Sequence, residues 1–168
     1  MIMFKLNAEN SPKLALVFLI VSFALPLYAE NPDHVARLKK TKQCPGCDLS
    51  GSDLRGLNLK NALLKGANLR NANLNGSNLL QADLEGAILT GANLDANMIG
   101  ANLRNARLNS AELNGAQLMD ANLTGVSLAN AGLNVVNFTG ADMSGTNLNG
   151  AKYCHSAIAP DGSRGIRC

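Results

Sequence analysis

The stretch from residue 67 to residue 89, ANLRNANLNGSNLLQADLEGAIL, repeats a pattern of five residues and decides the fold. Leu fills every fifth position from Leu69 to Leu89, and a small residue precedes each Leu by two positions. The same spacing begins at Leu49 and continues, after one slip of a single residue, to Tyr153. It gives 22 central positions, 18 of them Leu, and Ala fills 15 of the 22 small positions.

A period of five fits neither of the two simple elements. In an α-helix, five residues advance the chain by about 500°, so successive Leu side chains would spread around the axis. In a flat strand, an odd period would place each successive Leu on the opposite face. The pattern therefore predicts a chain that turns after every repeat and winds into a closed coil, with the central and small residues pointing inward.

These repeats resemble the pentapeptide-repeat family, whose motif is Ala, then Asp or Asn, then Leu, then two variable positions. Residues 67–71, ANLRN, and residues 121–125, ANLTG, match that motif closely. The resemblance covers residues 47–153 and implies an all-β fold, a right-handed quadrilateral β-helix (β-solenoid) of about 22 repeats with four repeats per coil. At about 4.8 Å between neighbouring strands, the rod is roughly 26 Å long.

The repeat slips once, because residues 92–95, ANLD, are followed directly by Ala96 and the series resumes one residue early at Met98. One interpretation is a tightened corner that the stack absorbs. The other is a kink that positions a binding face.

The first 29 residues are typical of a secretory signal peptide. Lys5 and Lys13 precede the apolar run LALVFLIVSFALPL, residues 14–27. Fourteen residues suit a signal sequence and are fewer than the roughly 20 that span a bilayer as a helix. We expect cleavage after Ala29, export to the periplasm or the medium, and no stable membrane insertion afterwards. An uncleaved membrane anchor is the alternative.

Residues 30–46 are predicted to cap the N-terminal end of the solenoid. Asn31 suits the N-cap of a short helix, and Pro32 suits its first position. Val35 and Leu38 could then cover the open end of the first coil. Residues 154–168 form a C-terminal tail at the other end.

Four cysteines lie in two pairs at the two ends of the solenoid, Cys44 with Cys47 and Cys154 with Cys168. An even number in an exported protein favours disulfides, and bonded Cα atoms must lie within about 7 Å. Because the ends are roughly 26 Å apart, we predict the local bonds Cys154–Cys168, which pins the tail, and Cys44–Cys47. A redox dithiol or half a zinc site at the CPGC segment is the alternative, with His34 the one further ligand nearby.

No catalytic constellation appears in the sequence, and we predict neither a cofactor nor a metal site. His34 and His155 lie at opposite ends of the predicted rod. From residue 30 onward there are 13 Lys or Arg against 11 Asp or Glu, too balanced a charge to predict nucleic-acid binding. We therefore predict a non-catalytic exported scaffold that binds an unknown protein partner or itself. The family offers an alternative, since some members mimic DNA and bind gyrase, which needs a strongly negative surface.

A four-sided coil brings residues about twenty apart into one column. One column after the central positions contains Leu80, Ile99 and Met119, three apolar residues in a row where the other columns are polar. We name these three residues the apolar stripe and predict that they form an interface for a partner or for self-association. Scattered surface hydrophobes are the alternative interpretation.

Overall fold

The computed structural model of the chain describes residues 31–167; the predicted signal peptide and Cys168 lie outside them. The described part begins with helix α1, Pro32–Thr41, and carries a short 3₁₀ helix, Cys154–Ser156, near its C-terminal end. Between them the chain forms a ladder of single-residue β-bridges rather than long strands.

Helix α1 is capped at both ends and covers the first coil. The Asn31 side-chain oxygen accepts hydrogen bonds from two backbone N–H groups of the first turn, at 3.1 and 3.3 Å. The helix ends at Thr41 and is capped by Lys42, whose left-handed backbone (φ 57°) directs its N–H to the Leu38 carbonyl at 2.8 Å. Val35 and Leu38 are buried in the same core cluster as the inward-facing Leu side chains, so the helix closes this end.

The bridges define a coil with four sides. Parallel bridges join residues 20 apart, beginning with Gln43–Leu63, so each coil contains four repeats. We number the four sides in chain order, each as a column of bridged residues. Face 1 runs from Gln43 to Asp142, face 2 from Asp48 to Asn147, face 3 from Asp53 to Lys152, and face 4 from Asn58 to Ile158.

The two inward positions of each repeat form the core, as the periodicity predicts. Every central Leu from Leu49 to Leu133 is at most 1% exposed, and the small residues between them are mostly buried Ala. Each regular corner is closed by a bond such as that from the Ala67 N–H to the Leu64 carbonyl, at 2.9 Å. The residue before it, here Gly66 with φ 65°, lies in the left-handed region, where Gly carries no steric penalty.

The slip after residue 95 is a tightened corner that the stack absorbs. The bridge register drops from 20 to 19 at Asn78–Asn97 and returns to 20 at Asn97–Gln117. Neither Asp95 nor Ala96 has a positive φ, unlike the second residue of the regular corners. Ala96 still faces the core and is 6% exposed, so one residue is lost from the corner and none from the inward pattern.

The ladder of bridges extends past residues 47–153 at both ends. The prediction that Tyr153 is the last inward residue is wrong. Tyr153 is 57% exposed, with a left-handed backbone (φ 62°), and Cys154 is buried instead. The cause is an extra residue in the last coil, because the bridge Asn137–Ile158 spans 21 residues. The 3₁₀ turn takes up that residue and rotates Tyr153 outward.

The predicted Cys44–Cys47 disulfide is present and staples the first corner, with a Cα–Cα distance of 5.2 Å. Cys44 takes a central position and Cys47 the next small position, on either side of Pro45 and Gly46. Cys154 is also disulfide-bonded. Its predicted partner, Cys168, lies outside the described residues, so that pairing stays a prediction.

The tail folds back over one side of the last coil. Ile158 pairs with Arg164 in an antiparallel bridge, and the Gly165 N–H donates to the Ala157 carbonyl at 2.8 Å. Ile166 packs against the core from this side. In residues 31–167, no helix has the length and apolar character needed to cross a membrane.

Candidate interaction surface

The structure brings the three residues of the apolar stripe together at the corner between face 4 and face 1. Backbone hydrogen bonds join their coils, from the Gln81 N–H to the Ile99 carbonyl at 2.9 Å and from the Gly100 N–H to the Met119 carbonyl at 2.8 Å. Neighbouring strands lie about 4.8 Å apart, so the stripe is about 10 Å long. Its side chains are half-buried, which leaves a low apolar ridge rather than three projecting groups.

Face 4 lies beside the stripe and carries an uncharged column of amides. Its outward residues include Asn78, Asn97 and Gln117, one on each of the three stripe coils. The Asn78 side-chain oxygen accepts from the Leu80 N–H at 3.0 Å, and the Asn97 oxygen accepts from the Ile99 N–H at 3.2 Å. The oxygens of Asn78 and Asn97 therefore fix the corner that holds the stripe, and their nitrogens remain as donors without a partner in residues 31–167. The Gln117 side-chain nitrogen instead donates to the Gly115 carbonyl at 2.9 Å.

A cavity of about 350 Å³ lies on the other side of face 4, at the tightened corner. It is lined by residues of three successive coils, including Asp95, Asn97 and Gln117. The corner at Asp95 is one residue shorter than its neighbours, so it recedes between them. Ser77 lines the cavity, and its hydroxyl is buried without a hydrogen-bond partner in the described chain. Ser52 has the same unpaired hydroxyl away from the cavity, so this state belongs to the inward position and does not indicate a ligand.

Sequence reasoning missed the three large apolar residues that are most exposed, Leu63 (45%), Val135 (56%) and Tyr153 (57%). Leu63 occupies an outward face position that holds Asn or Asp in most repeats. Val135 occupies a corner position with φ 56°, a conformation unusual for a β-branched residue. These two exceptions to the repeat pattern were the signal that could have identified Leu63 and Val135 as exposed.

Two pairs of opposite charge lie on the other faces. Lys65 and Glu85, which lie in one column on adjacent coils, form an ion pair of 2.8 Å, and this bond lowers the pKa of Glu85. The Arg55 side chain, bonded to Asp53 at 2.7 Å, lowers the pKa of Asp53 to about 2. All four groups lie at the surface, and the mixture of signs gives no strongly negative face.

The CPGC segment does not form a redox or metal site in this structure. Cys44 and Cys47 are bonded to each other and at most 3% exposed, so neither sulfur is accessible for thiol exchange. His34, the one nearby ligand, accepts a hydrogen bond at its Nδ1 from the Asp48 N–H at 3.0 Å. Across residues 31–167, no group of three or more His, Cys, Asp or Glu side chains is arranged to hold a metal ion.

Comparison with protein-family models identifies the repeat. The model for pentapeptide repeats matches eight copies at residues 44–79, 67–95, 95–125 and 116–152. This chain is a pentapeptide repeat protein. Proteins of the family form right-handed quadrilateral β-helices and are generally structural or interaction proteins rather than enzymes. No curated protein matches the sequence.

Solved structures of other pentapeptide repeat proteins resemble this one. The protein Rfr23 from the cyanobacterium Cyanothece 51142 is 31% identical, with a TM-score of 0.58, over 76% of this chain and 95% of its own. A pentapeptide repeat protein from the Arabidopsis thaliana thylakoid lumen is 29% identical, with a TM-score of 0.56, over 68% and 77% of the two chains. The fluoroquinolone resistance protein QnrB1 is 24% identical, with a TM-score of 0.55 over 68% of this chain and 63% of its own, and shares the fold.

Proposed function

We propose that this pentapeptide repeat protein is a non-catalytic scaffold that binds a protein partner outside the cytoplasm. Its contact surface is the apolar stripe of Leu80, Ile99 and Met119 together with the amide column of face 4. The observation that carries the proposal is this continuous surface without a charged residue, apolar along the stripe and lined by uncharged amides along face 4.

The composition of this surface suits recognition of a protein. Half-buried apolar side chains supply contact area, and the surface nitrogens of Asn78 and Asn97 supply hydrogen-bond donors at its edge. Interface centres are depleted in charge and ringed by polar groups in this way. The stripe is held by backbone hydrogen bonds between coils. A partner would therefore lose little free energy in ordering the scaffold.

Three observations support a site of action outside the cytoplasm. Residues 1–29 have the pattern of a secretory signal peptide. The chain holds the Cys44–Cys47 disulfide and a further bonded cysteine, Cys154, and such bonds persist in oxidising compartments. A relative of similar length is found in the thylakoid lumen, which is also separated from the cytoplasm by membranes.

Binding in the manner of a DNA mimic is less well supported. A DNA mimic requires a surface of one strong negative sign, whereas Lys and Arg slightly outnumber Asp and Glu from residue 30 onward. The likeness to QnrB1 is a likeness of fold.

Variants of the stripe test the contact surface. We would cross-link the protein in intact cells and compare wild type with Ile99→Glu and with Thr90→Glu, a control on the opposite corner, between face 2 and face 3. We expect one partner protein to be captured by wild type and by Thr90→Glu and lost from Ile99→Glu, with unchanged thermal melting for all three. Equal capture by Ile99→Glu and wild type would refute the proposed surface.

Cell fractionation with intact-mass measurement tests the location. We expect a product that begins at Glu30, found outside the cytoplasm and lighter by two hydrogens for each disulfide than its reduced form. A full-length, reduced protein in the cytosol would refute export and reopen binding to a cytoplasmic partner.

A further inference from the structure

The last coil of the solenoid has an unpaired backbone edge. In each interior coil, the central residue and the residue two after it donate to the next coil, as Leu123 does to Asp142 at 2.8 Å and Gly125 to Ser144 at 2.9 Å. In the last coil the equivalent N–H groups have no backbone acceptor within residues 31–167; they belong to Met143, Gly145, Leu148 and Gly150. The carbonyls of Ala141, Thr146 and Ala151 receive no backbone donor there either.

The tail covers this edge on one side only. The antiparallel bridge Ile158–Arg164 lies on face 4, and no described residue, from 31 to 167, pairs with faces 1, 2 and 3 of the last coil. Met143 and Leu148 are partly exposed there, whereas Leu123 and Leu128, one coil earlier in the same columns, are completely buried. The edge therefore accepts an antiparallel strand on one side and exposes core on the others.

The open edge is complementary to itself. Around Asn147, the Leu148 N–H and the Thr146 carbonyl both point away from the stack, which is the pair of groups that an antiparallel neighbour uses. A two-fold axis through face 2 would place Asn147 opposite Asn147 of a second copy, so that the two copies exchange these bonds. The same axis would place face 1 of each copy opposite face 3 of the other.

That arrangement also matches charge. Between residues 141 and 152, the charged residues are Asp142 on face 1 and Lys152 on face 3, both exposed. Each Asp142 would lie opposite Lys152 of the second copy, which gives two pairs of opposite charge across the axis. The N-terminal end does not offer such an edge to a second copy, because helix α1 packs over the first coil.

We propose that the protein forms an end-to-end dimer in which a second copy pairs with the open edge of the last coil. The tail adds one strand layer on face 4 alone, so the two rods meet at an angle rather than in line. This dimer leaves the apolar stripe free, because the stripe lies in the middle coils. Its success or failure is therefore independent of the proposed partner surface.

A charge swap tests the dimer in sedimentation equilibrium experiments on the protein recovered from cells. We expect wild type to dimerise with rising concentration and Asp142→Lys to bind at least tenfold more weakly, since both cross-axis pairs become repulsive. Lys152→Asp should behave in the same way, and the double variant Asp142→Lys/Lys152→Asp should regain dimerisation. Asp83→Lys, an equal charge change on face 1 three coils away from the edge, is the control, and thermal melting confirms that each variant folds.

Hydrogen exchange gives a second measurement at the backbone. The amides of Leu148 and Gly150 should become protected as the wild-type concentration rises and should stay unprotected in Asp142→Lys. A wild type that remains monomeric would overturn the proposal. So would a dimer equally affected by Asp83→Lys and Asp142→Lys, or one lost through Ile99→Glu, because the contact would then lie elsewhere.

Discussion

The two ends of the solenoid are closed by different means and to different degrees. At the N-terminal end, helix α1 covers the core, so Leu49, Leu54 and Leu59 of the first coil are at most 1% exposed. At the C-terminal end, a folded-back tail covers one side, and Met143 and Leu148 stay partly exposed. The repeat itself is the same at both ends. Closure therefore depends on the segment outside the repeat, and a helix covers more of a coil than one antiparallel strand does.

The largest expected effect follows from removing the cover at the N-terminal end. Leu38→Ala should lower the free energy of unfolding by about 2 to 5 kcal/mol, because Leu38 is completely buried. Leu148→Ala, the control at the other end, should cost about 1 kcal/mol, since part of that side chain already contacts water. Urea unfolding followed by circular dichroism measures both. Equal losses would show that the two ends are equally closed.

The tail disulfide should have the next largest effect. If Cys154 is bonded to Cys168, as predicted, the bond closes a loop of 15 residues and contributes about 3 kcal/mol in the chain-entropy model. Cys154→Ser should then release the tail and expose the peptide bonds near Arg164 to proteases. Limited proteolysis with mass measurement is the assay, with His155→Ser as the neighbouring control. A tail that stays resistant would show that the strand pairing alone holds it.

The front disulfide should contribute less, because it closes a smaller loop. Cys44 and Cys47 enclose a single corner, and the chain-entropy model gives about 2 kcal/mol for four residues. Cys44→Ala/Cys47→Ala should lower the melting temperature accordingly. Cys44→Leu/Cys47→Ala, which places the residues most common at these positions, should recover part of the loss through packing. If both double variants melt with wild type, the staple adds nothing that helix α1 does not already supply.

The repeat predicted the fold because both of its constraints are local. An inward Leu every five residues and a corner that tolerates left-handed backbone specify a coil, and four repeats per coil then place Leu80, Ile99 and Met119 in one column. The exceptions were harder to predict. Tyr153 keeps the spacing of an inward residue, yet the 3₁₀ turn that follows rotates it outward. That outcome depends on how the tail packs, which the repeat does not encode.

The site shows the same division. Column membership followed from counting residues, whereas the cavity beside face 4 depends on how far the shortened corner at Asp95 recedes between its neighbours. The open edge of the last coil likewise depends on the path of the tail, which pairs with face 4 and with no other side in the described chain. Periodicity places residues on faces, and the packing of the irregular segments decides which of those faces stay open.

The smallest expected effect is on stability at low pH, and it again compares the first coil with the last. The Ser50 hydroxyl and backbone N–H lower the pKa of Asp48, with the Asn68 amide adding to this. The Asp48 carboxyl thus binds a proton more weakly in the folded state than in the unfolded state, so the ionised carboxylate stabilises the fold. The stabilisation is complete above the unfolded pKa and is lost as the pH falls through the lower, folded pKa. Because Asp48 is exposed, solvent screening limits the effect to about 0.5 kcal/mol.

Asp48→Asn isolates that contribution, since an amide oxygen accepts the same backbone bond at many other repeats. The variant should be slightly less stable than wild type at pH 7 and equal to it at about pH 2, measured by urea unfolding at both values. Asp142→Asn is the matched control on the last coil, where Ser144 and Thr124 lower the pKa of the carboxyl in the same direction. If helix α1 keeps the first coil closed, the last coil should open first. Asp142→Asn should then change the early, local opening that hydrogen exchange measures, and Asp48→Asn should not. An equal change from both variants would mean that the rod opens from its two ends alike.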